Sequence, residues 1–166
     1  MAEGGVAMIY IAVVGASRCN RETAALAEET GAEIARRGGV LICGGGGGVM
    51  EAAAKGARSA GGMVLGILPG DDPRGGNRYL TMAVASGLGE ARNAIIARTA
   101  DALIAVGGEY GTLSEVALAL KMGKPVIGLK TWIIKPPCPL EGGIVYAASP
   151  GEAVNLACAA AGVPGI

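Results

Sequence analysis

The sequence predicts an α/β fold: a Rossmann-like, doubly wound open sheet, mostly parallel, with helices on both faces. Three observations lead there. Short, continuously apolar runs alternate with amphipathic helical stretches along the chain, which is how strands buried on both faces read when helices supply the crossovers. The apolar runs tend to end in glycine, as strand-to-helix turns require. The chain has 166 residues, too few for an eight-unit barrel of about 250 residues. Residues 1–166 are therefore read as one nucleotide- or phosphate-binding domain, long enough to bury about 70% of its unfolded surface.

Taken in order, "AMIYIAVVG" (Ala7–Gly15) is a buried strand, rich in β-branched residues and stopped by glycine. "NRETAALAEETGAEIARRGG" follows with apolar residues at helical spacing, Asn20 as its N-cap and Gly38-Gly39 as its stop. "VLIC" is a second strand, and "GGGGGVMEAAAKGARSAGG" a glycine loop running into an alanine-rich helix. "MVLGIL" is the third strand, "PGDDPRGGNRY" a polar loop, and "LTMAVAS" a weak strand. Then come helix "GEARNAIIARTA", strand "DALIAV", helix "GTLSEVALALKMG" and strand "KPVIGL". "IIKPPCPL" is irregular and proline-broken, before a last strand in "GGIVYAAS" and a helix in "PGEAVNLACAAAG".

Composition narrows the chemistry. Formal charge is zero with scattered Lys and Arg, which does not suit a nucleic-acid binder whose affinity rests on many phosphate contacts. No apolar run reaches the 18 or so residues of a membrane span. The longest, Val6–Val14, lacks the basic flank of a signal peptide. Cys19, Cys43, Cys138 and Cys158 form no CxxC pair, which favours reduced thiols in the cytoplasm over disulfides or zinc. There is no histidine, so a Ser-His-Asp triad, a His-ligated metal and an imidazole base are excluded. No metal site and no cofactor is expected. Catalysis, if any, falls to carboxylates, arginine, hydroxyls and backbone amides.

In open parallel sheets ligands bind beyond the carboxyl ends of the strands. Four loops are expected there: Gly15–Asn20, Gly44–Gly48, Leu68–Tyr79 and Gly107–Thr112. In the last, Gly107 and Gly108 let a ligand approach the main chain, Gly111 adds conformational freedom, and Thr112 can cap or begin the helix. Free N–H groups at a helix start form an anion site, though an ordinary capped turn explains the same residues. The run Gly44, Gly45, Gly46, Gly47, Gly48 does not satisfy G-x-G-x-x-G, because the closing position falls on Val49, Met50 or Glu51, and no Walker motif exists. Five glycines are costly in chain entropy, so a ligand or another backbone is expected to pass close to them. Glu115 lies a turn beyond Thr112 and can face the pocket, or serve as partner in a capping box, since "TLSE" fits T-x-x-E. Arg92 begins the helix before "ALIAV", and Asp71 and Asp72 suit either the binding edge or plain turn chemistry.

At these residues the chain resembles the LOG superfamily, long described as lysine decarboxylases, whose better-studied members are phosphoribohydrolases acting on nucleoside 5′-monophosphates. "GGEYGTLSE" is similar to the signature P-G-G-x-G-T-x-x-E, "GEARN" to the arginine-bearing helix, and "CGGGGGVMEAA" to the Gly-rich loop. The likeness runs from about Ile9 to Leu129. "GILPGDD", "GLGEARN" and "GGEYGTLSEVALALKMGKPVIGL" look more narrowly like a branch related to molybdenum-cofactor carrier proteins, which bind a phosphate-bearing pterin.

The resemblance implies Arg92 and Glu115 as catalytic or ligand-orienting residues. It also implies phosphate or nucleotide contacts from Ser17, Gly44–Gly48, Met50, Gly108, Tyr110, Gly111 and Thr112, and a homo-oligomer, dimer or tetramer. Two functions follow: hydrolysis of a nucleoside 5′-monophosphate to base and ribose 5-phosphate, or carriage of a phosphorylated ligand such as molybdenum cofactor without turnover. The partner is a small phosphorylated ligand in either case. A pyridoxal-phosphate decarboxylase and a nicotinamide dehydrogenase find no supporting motif. The signature is altered, with Gly107 for proline and Glu109 for the second glycine. A carboxylate about 5 Å from a phosphate costs roughly 3 kcal/mol at an effective dielectric near 20, so either Glu109 points outward, which the close approach given by the neighbouring glycines favours, or the ligand is not a simple nucleoside monophosphate.

Overall fold

The computed structural model describes residues 8–162. Ala7, at the start of the first expected strand, and part of the apolar run Val6–Val14 lie outside the described residues. Seven strands form one sheet: β1 (Tyr10–Val14), β2 (Val40–Cys43), β3 (Met63–Leu68), β4 (Met82–Ala85), β5 (Ala102–Val106), β6 (Val126–Leu129) and β7 (Ile144–Tyr146). All pairings are parallel, in the order β4-β3-β2-β1-β5-β6-β7. The chain winds outward from β1 in one direction, then returns beside it and winds outward in the other. The switch point lies between β1 and β5, where Ile11 pairs with Ala102 and Val14 with Ala105.

Alternation along each strand divides the core in two. Ile11, Val13, Leu41, Ile104 and Val106 face one layer, formed by α1 (Arg21–Arg36), α2 (Val49–Ser59) and α5 (Pro150–Ala160). Ala12, Val14, Ile42, Leu103 and Ala105 face the other, formed by α3 (Asn93–Thr99) and α4 (Tyr110–Lys121). A strand buried on both faces needs no polar alternation, which is why these runs are continuously apolar. Small residues bring α1 and α2 into backbone contact. A Cβ on Gly31 would sit 2.0 Å from the Ala53 carbonyl oxygen, and one on Gly56 would sit 1.8 Å from that of Glu28.

Helix ends follow the expected chemistry in part. The Asn20 side chain accepts from the Thr23 amide at 2.9 Å, and Gly38 takes φ 70° just past the end of α1. The weak strand "LTMAVAS" is real and forms an edge of the sheet. Two expectations need correction. The stretch "GEARNAIIARTA" is not one helix: Gly89–Arg92 form a 3-10 turn entered through Gly89 at φ 56°, and α3 begins only at Asn93. Arg92 thus stands at the joint between the two. Thr112 neither caps nor begins α4. The helix starts at Tyr110, with Glu109 in the N-cap position and no side-chain cap bond, so "TLSE" forms no capping box. All four cysteines are free.

Candidate functional site

A cavity of about 490 Å³ opens beyond the carboxyl ends of β1 and β5, where an open parallel sheet leaves a crevice. Ser17 comes from the loop after β1 and Met50 from the first turn of α2. Arg92 and Asn93 come from the joint before α3, and Tyr110, Gly111, Thr112 and Glu115 from the first turns of α4. Of the residues expected from sequence, these seven come together: Ser17, Met50, Arg92, Tyr110, Gly111, Thr112 and Glu115. Gly44–Gly48 and Gly108 are not in the cavity wall.

The reason for that division is visible in the space each glycine leaves. A Cβ on Gly48, at φ 60°, would lie 2.3 Å from the Ala16 carbonyl oxygen; on Gly45 it would lie 2.1 Å from Leu68 Cδ2. On Gly44 it would meet Met50 Sδ and the Arg92 guanidinium at 2.7 and 2.8 Å. The glycine run is closely approached by the protein itself, including the backbone of Ala16 and Ser17. Gly108 at φ 121° packs on Thr112, whose Cβ would be 2.6 Å from an added Cβ. Gly111 has nothing within 4 Å. Asp72 caps its own turn and pairs with Arg74 at 2.9 Å, and neither it nor Asp71 lines the cavity.

The polar floor is a small network. Arg92 Nη1 lies 3.7 Å from Glu115 Oε1, with the two side chains 13% and 8% exposed. The same nitrogen donates to Asn93 Oδ1, Nη2 donates to the Gly44 carbonyl at 3.4 Å, and Asn93 Nδ2 donates to Ser114 Oγ at 3.3 Å. Burial pushes the Glu115 carboxyl up to about 7, with Arg92 opposing the shift; desolvation of a carboxylate outweighs one cation at that distance. Among the described residues two side-chain donors sealed from solvent have no partner: Arg92 Nε and Thr112 Oγ1. Native proteins pair nearly all such atoms; Thr112 Oγ1 packs toward Gly108, 2.7 Å from where a Cβ would stand, rather than into the cavity. The first intrahelical bond of α4 runs from the Leu113 amide to the Glu109 carbonyl, so the amides of Tyr110, Gly111 and Thr112 precede the helical ladder.

Glu109 is exposed, as expected of an outward side chain, yet it belongs to the cavity wall. Its charge therefore remains near the mouth. The wall also contains Gly15 and Pro69, from two of the loops expected at this edge, and Gly89, Glu90, Asn93 and Ser114, which sequence reasoning did not select. Asn93 carried the best available signal, as a polar residue directly after Arg92.

Residues 8–154 match the SLOG cluster4 family. The chain belongs to that family. It is 47% identical over 148 residues to an uncharacterized protein of Archaeoglobus fulgidus, covering 89% of this chain and 93% of that one. Among solved structures, the molybdenum cofactor binding protein of Rippkaea orientalis is 35% identical, with a TM-score of 0.82 and coverage of 92% of this chain and 96% of that one. The molybdenum cofactor carrier protein of Chlamydomonas reinhardtii is 34% identical, with a TM-score of 0.78 and coverage of 92% and 98%. DNA processing protein A of Streptococcus pneumoniae shares the fold alone, at 20% identity and a TM-score of 0.70 over 89% of this chain and 61% of that one. Among the described residues no helix is long and apolar enough to cross a membrane, and no group of three His, Cys, Asp or Glu residues could hold a metal ion.

Proposed function

We propose that this protein binds and carries a phosphate-bearing pterin, the molybdenum cofactor or a close relative, without turning it over. The observation that carries the reading is the set of leading α4 amides, Tyr110 to Thr112, which precede the helical ladder in the cavity wall beside the Arg92 guanidinium. An anionic oxygen would satisfy such donors, and the positive end of the helix dipole favours it. The cofactor is cargo here. Arg92 and the amides at Gly111 and Thr112 would hold its phosphate.

Two features support carriage over hydrolysis. Cleaving an N-glycosidic bond builds positive charge on the ribose, which a carboxylate must meet. With its carboxyl pushed up to about 7, a large fraction of Glu115 is neutral at physiological pH, and its residual charge is already matched by Arg92 at 3.7 Å. Glu109 and Gly107 also depart from the phosphoribohydrolase signature, which has glycine and proline there. The likeness to two molybdenum-cofactor proteins over about nine tenths of the chain supports the same choice. Hydrolysis remains the second reading, favoured by the Arg92–Glu115 pair in the cavity.

The decisive experiment offers the protein a panel of nucleoside 5′-monophosphates and, separately, molybdenum cofactor released from a molybdoenzyme. Retention of stoichiometric cofactor through gel filtration, lost or at least tenfold weakened in Arg92→Met, is the expected result, with no free base from any nucleotide. Release of base and ribose 5-phosphate, abolished by Glu115→Gln, would overturn carriage in favour of the hydrolase.

A further inference from the structure

The chain contains four tyrosines, one tryptophan and no phenylalanine. Three of these five aromatics meet at one place. Tyr110, the first residue of α4, lines the cavity and is 80% exposed. Its ring centroid lies 5.7 Å from that of Trp132, with the planes tilted by 34°. Tyr146, on β7, donates through its hydroxyl to the Trp132 carbonyl at 2.7 Å. A single exposed aromatic is ordinary; what sets Tyr110 apart is its place in the cavity wall with a second aromatic ring behind it.

The chain spends conformational energy on holding Trp132 there. Lys130, two residues earlier, takes φ 46° and is the only non-glycine residue with positive φ among the described residues; such a backbone is strained for a side-chain-bearing residue. The reversal brings Thr131 and Trp132 back over the turn that follows β5. Thr131 Oγ1 donates to the Gly107 carbonyl and Trp132 Nε1 donates to the Glu109 carbonyl at 3.2 Å. A second cleft, of about 380 Å³, runs along this seam between Gly107, Gly108, Lys130, Thr131 and Trp132. Trp132 is thus pinned at its indole nitrogen and at its carbonyl, with one face against Tyr110.

We propose that Tyr110, backed by Trp132, is the stacking platform for the planar heterocycle of a ligand whose anionic end occupies the cavity. This rests on the anion-binding reading of the cavity and adds where the ring goes. Tyr110 makes the contact, and Trp132 is a positioning residue that holds the tyrosine ring at the mouth. Flat heterocycles stack on aromatic side chains irrespective of their edge chemistry, with a typical gain of about 1–3 kcal/mol. The platform therefore selects for a ring, while the edge groups that tell one heterocycle from another must be read elsewhere.

Because Trp132 is the only tryptophan, its fluorescence reports on this seam without labelling. Two probes separate the ring from the anion: 6-hydroxymethylpterin phosphate, which carries both, and ribose 5-phosphate, which lacks the ring. The pterin phosphate is expected to quench Trp132 and to bind about tenfold or more tighter than ribose 5-phosphate by calorimetry. Tyr110→Ala should erase that advantage, weakening the pterin phosphate about tenfold more than ribose 5-phosphate. Tyr110→Phe should keep it, and Trp132→Leu should diminish it. If ribose 5-phosphate binds and the pterin phosphate binds no tighter, or if Tyr110→Ala leaves the ratio intact, the platform is overturned and the cavity reading survives. If neither probe binds, the cavity reading itself fails and the platform falls with it.

Discussion

The two glycine turns of this protein look alike in sequence and behave differently in space. After β2, Gly44–Gly48 is crowded by its own chain: the backbone of Ala16 and Ser17 against Gly48, Leu68 against Gly45, Arg92 and Met50 against Gly44. After β5, Gly111 has open space on its Cβ side and lines the cavity. The first turn uses missing side chains to lock two loops together, and the second uses one to leave room. Glycine count does not separate these cases. The number of atoms already standing where a Cβ would go does.

The largest test of that contrast is Gly48→Ala. The new Cβ would overlap a backbone oxygen at 2.3 Å in a φ 60° conformation, and neither can yield cheaply. Strain and overpacking together should cost about 3 kcal/mol or more, read as a fall in melting temperature of about 10 °C. A fall of only a degree or two would show that the loops after β1 and β2 are not locked.

Next in size is the pH response of Glu115. Its folded pKa lies above the ordinary carboxylate value, so between about 4.5 and 7 the native state holds more protons than the unfolded one. Stability therefore falls as pH rises through that window. Below it Glu115 is neutral in both states and there is no penalty; above it the penalty is complete, on the order of 3 kcal/mol. Glu115→Gln should remove this slope, making the variant several degrees more stable relative to wild type at pH 8 than at pH 5. Parallel melting profiles for the two proteins across that range would contradict the burial-driven shift.

The smallest effect belongs to Gly111→Ala. With open space at the site and Gly111 within the first turn of α4, alanine should raise stability by about 0.5–1 kcal/mol. Phosphate binding should weaken at the same time, because the methyl enters the cavity wall. Thermal melts and ribose 5-phosphate calorimetry on the same sample would measure both. A destabilised variant would place this turn in the same class as the one after β2.

Much of this was legible in the sequence because the governing physics is local or periodic. Continuous apolar runs identified every strand, including the weak edge strand at Met82–Ala85, and Asn20 announced the start of α1. The placement of Arg92, Thr112 and Glu115 in one wall followed from strand ends in a parallel sheet. What was not legible depended on contacts between distant segments. Gly89 carries the positive φ that breaks "GEARNAIIARTA" in two, but a helix-compatible sequence does not reveal which glycine will take it. The start of α4 at Tyr110 rather than Thr112 reflects a helix that begins without a side-chain cap. Trp132 sits in an irregular stretch near the prolines, where neither periodicity nor motif singles it out. Only the fold carries it back over the β5 turn.

The close seating of α1 on α2 has a mechanical meaning for the cavity. With main chain resting on main chain at Gly31 and Gly56, and with Gly48 wedged against Ala16 and Ser17, the Ser17 and Met50 side of the opening is one jaw of a vice, clamped in place. The opposite jaw carries Gly89 and Glu90, in a stretch where Gly87 and Gly89 meet nothing within 4 Å. That second jaw is held by backbone hydrogen bonds to the loop after β3, from Gly87 to Gly70 and from Gly89 to Pro69, both at 2.9 Å, rather than by helix against helix.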